Sequence, residues 1–211
     1  LRRQRQMCIR DRVDNASVTY EALGPGLVFM LPPSTSELEV TGPLAARLYI
    51  SSETTDADLF LTVRLFTPDM KEVTFQGAND PNTPIAQGWL RASHRKLDAD
   101  RSKPWRPWHA HDEILPLVPG EVYPVDVEIW PTSIVVPPGY RLALSIRGKD
   151  FEYAGPPVMA LHPAHEMRGC GAFVHDDERD RPRSVFGGKV TIHTGPSHPS
   201  SVLLPVIPTR A

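Results

Sequence analysis

Residues 123–146, YPVDVEIWPTSIVVPPGYRLALSI, contain the clearest pair of strands in this chain. In both halves of the stretch, apolar residues alternate with polar or small ones. The apolar positions are Val125, Val127, Ile129, Leu142, Leu144 and Ile146. A period of two is typical of a strand with one buried face. Between the halves, Pro137-Pro138-Gly139 joins a fixed φ to a residue that tolerates positive φ, so the stretch predicts two strands joined by a type II turn.

Other segments alternate in the same way and predict further short strands. They are residues 27–31, 37–41, 44–52, 58–66, 72–75, 88–93, 189–193 and 202–207. Proline is frequent, at 23 of 211 residues, which disfavours long helices because proline lacks the backbone N–H that a helix needs. Residues 96–116 and 155–182 lack the alternation and predict long loops. The whole pattern favours an all-β sandwich or jelly roll over an up-and-down barrel and leaves the strand order open.

Composition limits the class of protein. With 40% hydrophobic residues, 23% charged residues and a formal net charge of −2, the chain fits one ordinary soluble domain, and nothing suggests a nucleic-acid partner. No apolar run approaches the roughly 20 residues that cross a bilayer, so no membrane partner is expected. Cys8 and Cys170 are too few for a disulfide framework, which makes a reducing, cytoplasmic location the default.

Residues 1–12, LRRQRQMCIRDR, differ from the rest of the chain. They carry five arginines and one aspartate, whereas the remaining chain is acidic overall. We expect a non-native or disordered extension here, with a functional basic arm as the alternative. The folded domain is therefore expected to cover residues 13–211.

A serine nucleophile of the α/β-hydrolase type requires a Gly-x-Ser-x-Gly turn between a strand and a helix. The chain contains no such string. Its nearest approach is residues 195–199, GPSHP, in which proline stands where the second glycine belongs. We therefore expect that Ser197 is no nucleophile and that the chain holds no catalytic residue.

Three groups of histidines and acidic residues have spacings that loosely suit a metal ion. The first is residues 109–113, HAHDE, the second is His162, His165 and Glu166, and the third is His175 with Asp176, Asp177 and Glu178. None adds a further ligand at a fixed spacing. Solvated or hydrogen-bonded structural histidines are favoured, so we expect neither a metal site nor a cofactor.

Three tryptophans, Trp89, Trp105 and Trp108, suggest a platform on which sugars stack, but burial in the core or against another domain is favoured. Close to Trp89, three basic side chains fall within five residues: Arg91, His94 and Arg95. Such a cluster needs acidic partners or solvent. It is either a surface ion-pair patch or a contact with a neighbouring domain, and we expect the contact, with partners outside this chain.

Several strings, taken in order, resemble the C-terminal jelly roll of the CocE/NonD hydrolases, the family that includes the Xaa-Pro dipeptidyl-peptidases and related esterases. They are LEVTGPL (38–44), LYISS (48–52), TDADL (55–59), GWLRASHR (88–95), VEIWPTS (127–133) and PGYRL (138–142). The tail, with FGG (186–188), HPSS (198–201) and LPV (204–206), is similar as well. The resemblance extends over nearly all residues after Val13.

The resemblance implies a galactose-binding-domain-like jelly-roll β-sandwich that packs against an N-terminal α/β-hydrolase domain of the same parent chain and shapes its substrate pocket. In that family the hydrolase domain carries the Ser, Asp and His triad and cleaves ester or amide bonds through an acyl-enzyme. The present chain is then an inactive fragment of a dipeptidyl-peptidase or esterase, whose parent could form a homo-oligomer. The alternative is a free-standing β-sandwich module that binds carbohydrate or protein.

Overall fold

Eleven strands form the framework of the structure, a computed structural model that describes residues 3–8, 14–77, 80, 82–153, 169 and 174–208. The strands are β1 (Arg3–Cys8), β2 (Ala16–Glu21), β3 (Leu27–Met30), β4 (Leu38–Ser52), β5 (Asp58–Phe66), β6 (Glu72–Val73), β7 (Ala86–Arg91), β8 (Tyr123–Val136), β9 (Arg141–Arg147), β10 (Lys189–Thr194) and β11 (Ser201–Ile207). A 3₁₀ turn (Ala92–His94) follows β7, and a short helix α1 (Arg183–Phe186) precedes β10.

The strands form two antiparallel sheets, each organised around one long strand. In the first sheet, β8 pairs with β4 along one edge, while β11 and β10 share the other edge of β4. Strand β1 extends the sheet beyond β11, and β2 extends it beyond β10. In the second sheet, β5 lies between β9 on one side and β7 and β6 on the other, with β3 outside β9.

The apolar faces of the two sheets meet in one core. The positions predicted to point inward are all buried there: Leu44, Ala46, Leu48, Ile50, Leu59, Leu61, Val63, Leu65, Val125, Val127, Ile129, Leu142, Leu144 and Ile146. Because each sheet buries one face against the other, the chain is a jelly-roll β-sandwich. The predicted fold class is confirmed.

The predicted turn at Pro137 is also present. Gly139 has a φ of 85°, and the Tyr140 N–H donates to the Pro137 carbonyl at 3.2 Å. The two strands beside the turn are longer than predicted. Strand β8 continues through Pro131 to Val136, because a bulge opposite Pro43 removes the need for proline to donate in the ladder.

Two other strand predictions need correction. Residues 37–41 and 44–52 form the single strand β4 rather than two. Strand β2 has no counterpart among the predicted strands, because only Tyr20 in it is buried and the alternation is too weak to see. Residues 1–12 were expected to be a non-native or disordered extension; within them, residues 3–8 form β1, paired with β11. Whether this segment is native stays a prediction.

Candidate functional site

The two sheets are in close contact where β7 crosses β8. A Cβ atom on Gly88 would lie 2.1 Å from the backbone oxygen of Glu128 and 3.0 Å from Cα of Ile129. Both atoms belong to the backbone and cannot rotate away, so only glycine allows this approach. The crossing brings together the two most distinctive strings of the sequence, GWLRASHR and VEIWPTS.

An aromatic pair marks the outer side of this crossing. The rings of Trp89 and Trp130 meet edge to face, with centroids 5.0 Å apart and an interplanar angle of 68°. Regular alternation along β8 places Trp130 on the outer side of the strand, where it is 61% exposed. The bulge follows directly: Trp130 and Pro131 lie opposite Pro43 on β4, and alternation resumes with Thr132 inward. An indole this exposed is available for contact with a partner.

A pocket of about 450 Å³ opens beside the aromatic pair. Its aromatic and imidazole lining comprises Phe60, Trp89, Trp130, His94, His109, His111 and His175. Its charged lining comprises Asp58, Arg91, Glu128, Asp180 and Arg181. Of the four residues predicted to form an interdomain contact, the structure therefore gathers Trp89, Arg91 and His94 around one cavity.

The partners of Arg91 lie within the chain, not outside it as expected. Arg91 donates to both carboxylate oxygens of Asp58, at 2.9 and 3.1 Å, and to Asp180 at 2.9 Å. These bonds raise the pKa of Arg91 above its ordinary value, so the group stays charged. The guanidinium also lies 4.4 Å from the centroid of the Phe186 ring.

A second arginine completes this charge network. The Arg181 side chain is 6% exposed and donates from Nε to Asp58 at 2.7 Å. Its other nitrogens donate to the carbonyl oxygens of His175 and Gly148, both at 2.5 Å. The network thereby attaches the segment after residue 174 to the outer face of β5, where Arg181 stacks on Phe60.

Arg95 turns away from the pocket. Its guanidinium donates to the carbonyl oxygens of Ala92 and Leu115 and stacks on Tyr123 at 4.5 Å from the ring centroid. It therefore holds the loop after the 3₁₀ turn in place. The prediction that its partners lie outside the chain is wrong for Arg95, as it is for Arg91.

Three histidines, His94 and the neighbours His109 and His111, meet at one end of the pocket. The Nδ1 atoms of His94 and His111 are 3.3 Å apart, and the His109 ring lies 6.0 Å from that of His111. His109 Nε2 bonds to the carbonyl oxygen of Asp126 at 3.0 Å, and burial lowers the pKa of His109. The sequence grouped only His109 with His111, because only the fold brings His94 beside them.

The other groups considered as metal ligands do not converge. His175 bonds to Asp150, with Nδ1 3.1 Å from the nearer carboxylate oxygen, while Asp177 pairs with Arg179. Among the described residues, no group of three His, Cys, Asp or Glu side chains is arranged to hold a metal ion. The group formed by His162, His165 and Glu166 lies outside the described residues.

The serine singled out in the sequence has a structural role. Asn15 Nδ2 donates to Ser197 Oγ at 3.0 Å, and the Ser197 N–H donates back to Asn15 Oδ1 at the same distance. Elsewhere on the first sheet, Ser51 Oγ lies 2.9 Å from His193 Nε2. Within the described part of the chain, no carboxylate contacts His193, so this pair lacks the third group that orients a catalytic histidine.

The three predicted stacking tryptophans do not form one platform. Trp89 packs on Trp130, whereas Trp108 is flanked by Arg101 and Arg106, each 5.5 Å from its ring centroid. Trp105 and Trp108 are each 40% exposed, so neither is buried in the core, and their burial against another domain stays a prediction. Trp105 stands in the tight turn between Lys103 and Arg106, whose backbones exchange two hydrogen bonds.

Glu128 and Trp130 are among the pocket residues that were not singled out in the sequence. The alternation that places Val127 and Ile129 inward also places both of them on the outer side of β8. It does not show which other segments lie beside them. Glu128 also differs from the other pocket carboxylates, because no described residue binds its oxygens.

Comparison with known proteins identifies relatives of the whole chain. The family profile of the X-Pro dipeptidyl-peptidase C-terminal non-catalytic domain matches residues 10–203. A candidate serine esterase of Mycobacterium tuberculosis (strain CDC 1551 / Oshkosh) is 33% identical over 129 residues, which is 59% of this chain and 19% of that protein. Cocaine esterase of Rhodococcus sp. (strain MB1 Bresler) is 24% identical over 174 residues, covering 82% of this chain and 24% of the esterase.

A solved structure shares the fold closely. A CocE/NonD family hydrolase from Staphylococcus aureus superimposes with a TM-score of 0.82 at 22% identity, covering 98% of this chain and 37% of the hydrolase. The chain thus spans about a fifth to a quarter of the length of the curated relatives it matches. In the described residues, no helix is long and apolar enough to span a membrane.

Proposed function

Because the chain belongs to the family of X-Pro dipeptidyl-peptidase C-terminal non-catalytic domains, we propose that it is the C-terminal domain of a CocE/NonD-type α/β serine hydrolase. The catalytic domain precedes it in the same parent chain and cleaves ester or amide bonds, as an esterase or a dipeptidyl-peptidase. A serine of that domain attacks the carbonyl carbon and releases an alcohol or amine, and water then hydrolyses the acyl-enzyme. The present chain supplies no member of the triad and is inactive alone.

Its own role is to pack on the catalytic domain and shape the substrate pocket. The observation that carries this proposal is the exposed Trp130, which packs on the partly buried Trp89 where both rings line the pocket. Exposed aromatic rings beside a cavity are favourable contact residues in protein interfaces. His94 adds a polar contact on the same side. Arg91 holds the surface rigid through its two carboxylate partners, and Arg95 positions the loop behind it.

We further propose that residues 13–211 form the β-sandwich domain and that residues 1–12 are a non-native extension. The parent is a cytoplasmic protein that works without a cofactor and without membrane or nucleic-acid partners, and it can form a homo-oligomer. Cell fractionation and light scattering of the parent test these statements.

Activity-based labelling tests the division of labour. The purified chain is expected not to react with a fluorophosphonate probe, whereas the parent protein reacts at a serine within a Gly-x-Ser-x-Gly string encoded upstream. Covalent labelling of Ser197 or Ser51 in the isolated chain would contradict the proposal. So would an upstream coding sequence without that string.

Substitution at the aromatic pair tests the contact itself. With the catalytic domain and this chain produced separately, Trp130→Ala is expected to weaken their association by at least tenfold, because aromatic side chains at interfaces commonly contribute more than 1 kcal/mol. Trp105→Ala is the matched control, since it removes an exposed indole from a different surface. Equal loss in both variants would contradict a contact centred on Trp130.

A further inference from the structure

We propose that the pocket beside Trp89 and Trp130 receives a cationic side chain, a lysine or an arginine, for which Glu128 is the counter-ion. That this cationic side chain comes from the catalytic domain rests on the function proposed above. The chemistry of the pocket does not depend on it, because it follows from the charges and rings that line the cavity.

The first observation concerns Glu128. The side chain is partly buried and lines the pocket, yet within the described residues its carboxylate oxygens accept no hydrogen bond and pair with no cation. Its neighbours on the same face of the sheet offer none: Ala45 lies opposite it on β4, and Asp126 pairs with Arg47. A partly buried carboxylate without a partner is costly, and a cation in the pocket removes that cost.

The second observation concerns the other charges of the pocket. Its two arginines, Arg91 and Arg181, are matched by two carboxylates, Asp58 and Asp180. The formal charges of these four groups cancel, and the groups hydrogen-bond to one another. Among the Asp, Glu and Arg side chains of the lining, the charge left over is that of Glu128. The pocket therefore favours a cation over a neutral or anionic group.

The third observation concerns the aromatic walls. Arginine side chains of this chain already lie against Phe60 and Phe186, at 5.0 and 4.4 Å from the ring centroids. In the described part of the chain, none lies against Trp89 or Trp130. Indole is the aromatic ring that attracts cations most strongly. Two indoles meeting at 68° next to a free carboxylate form a corner suited to an ammonium or guanidinium group.

The size of the pocket agrees with such an occupant. Its volume of about 450 Å³ lies within the range of roughly 300–1,000 Å³ usual for small-ligand sites. It can take the end of an arginine or lysine side chain together with part of its aliphatic stem. The stem would lie along Trp130, as long cationic side chains commonly do on apolar surfaces.

Binding of a small cation tests the chemistry. The probe is ethylguanidinium at low millimolar concentration and pH 8, and the neutral control is ethylurea, which has nearly the same shape. The indole N–H resonances of the four tryptophans report the contact by NMR. We expect a saturable shift of Trp89 and Trp130 with ethylguanidinium and none with ethylurea.

Two variants assign the effect to Glu128. Glu128→Gln is expected to weaken binding of ethylguanidinium by roughly tenfold, because a charge-assisted contact is lost. Asp126→Asn removes the same charge from the same face of β8 but lies outside the pocket, and it should leave binding unchanged. Absence of a saturable shift, equal shifts with ethylurea, or equal binding by wild type and Glu128→Gln would each overturn the inference.

The parent protein distinguishes the source of the cation. If a side chain of the catalytic domain fills the pocket, ethylguanidinium binds the isolated chain but not the parent. Binding of ethylguanidinium to both proteins would contradict the proposal that a side chain of the catalytic domain fills the pocket. A failure of the proposed function would give a different result: the upstream sequence would encode no serine hydrolase, whether or not the isolated chain binds ethylguanidinium.

Discussion

Two neighbouring regions of the same pocket differ in how their charges are satisfied. On one side, Asp58, Asp180, Arg91 and Arg181 bind one another and close a network. On the other side, Glu128 has no partner among the described residues, and Trp130, which packs on Trp89, is exposed. The closed region is explained by folding alone, because it attaches the segment after residue 174 to β5. The open region has no such role among the described contacts, and under the function proposed above its partner lies in the catalytic domain.

Breaking the closed region should have the largest effect on stability. Asp58→Ala leaves the guanidinium of Arg181, which is 6% exposed, without its carboxylate partner. Removal of one partner from a buried pair costs about 3–5 kcal/mol. Chemical denaturation of the purified variant measures the free energy of unfolding. A loss below about 1 kcal/mol would show that the network contributes little to the fold.

Disturbing the crossing that joins both regions should have the next largest effect. Gly88→Ala places a methyl group against the backbone of Glu128 and Ile129, and we expect a loss of about 2 kcal/mol as β7 moves away from β8. The contact between Trp89 and Trp130 should weaken at the same time, which their indole NMR shifts would report. Gly120→Ala is a control with open space around its Cβ, although its positive φ carries its own strain. Retained stability in Gly88→Ala would contradict the close crossing.

Acidification should weaken the fold through its buried histidines. Burial lowers the pKa of His109 and of His193 below the ordinary value of about 6.5. At pH values between the folded-state and the unfolded-state pKa, the unfolded chain binds more protons than the folded one. The contribution to stability is therefore fully present above about pH 6.5 and falls as pH decreases below it. One histidine contributes a slope of at most about 1.4 kcal/mol per pH unit.

The variant His109→Gln isolates one of these contributions. Glutamine can still donate to the carbonyl of Asp126 but does not titrate, so the dependence of unfolding free energy on pH should flatten between pH 5 and 6.5. Burial raises the pKa of the Asp126 side chain, which acts in the opposite sense and nearer pH 4. An unchanged slope in His109→Gln would contradict a buried neutral imidazole.

Neutralising the open region should have the smallest effect. Glu128→Gln is expected to raise the free energy of unfolding of the isolated chain slightly, by no more than about 0.5 kcal/mol, because the cost of a partly buried charge is relieved and no contact with a described residue is lost. The contrast with Asp58→Ala, measured by the same denaturation, is the sharpest internal comparison. A loss of 2 kcal/mol or more in Glu128→Gln would reveal a partner within this chain.

The fold was predictable where the alternation of apolar residues is regular. It predicted the inward faces of β4, β5, β8 and β9, since each residue there contributes to one core. It failed at Pro43 and Pro131, where two prolines face each other across a bulge and the strands continue. From the sequence alone, each proline marks the end of a strand. The strands continue because β4 and β8, which are distant in sequence, pair on both sides of the bulge.

The site was predictable only in part. Trp89, Arg91 and His94 were identified as a group because they are close in sequence. The partners of Arg91, in contrast, come from Asp58 and Asp180, which are far from it along the chain. The sequence shows that a cluster of positive charge needs partners, but only the packing of the segment after residue 174 on β5 shows that they are within this chain.

The central claim is that the surface around Trp130 is covered by the catalytic domain of the parent. Oxidative footprinting measures it directly, by comparing the oxidation rates of Trp130 and Trp105 in the isolated chain and in the parent protein. In the isolated chain Trp130 is the more exposed, at 61% against 40%, and should oxidise faster. We expect the parent to reverse that order through protection of Trp130; an unchanged ratio of the two rates would contradict the account.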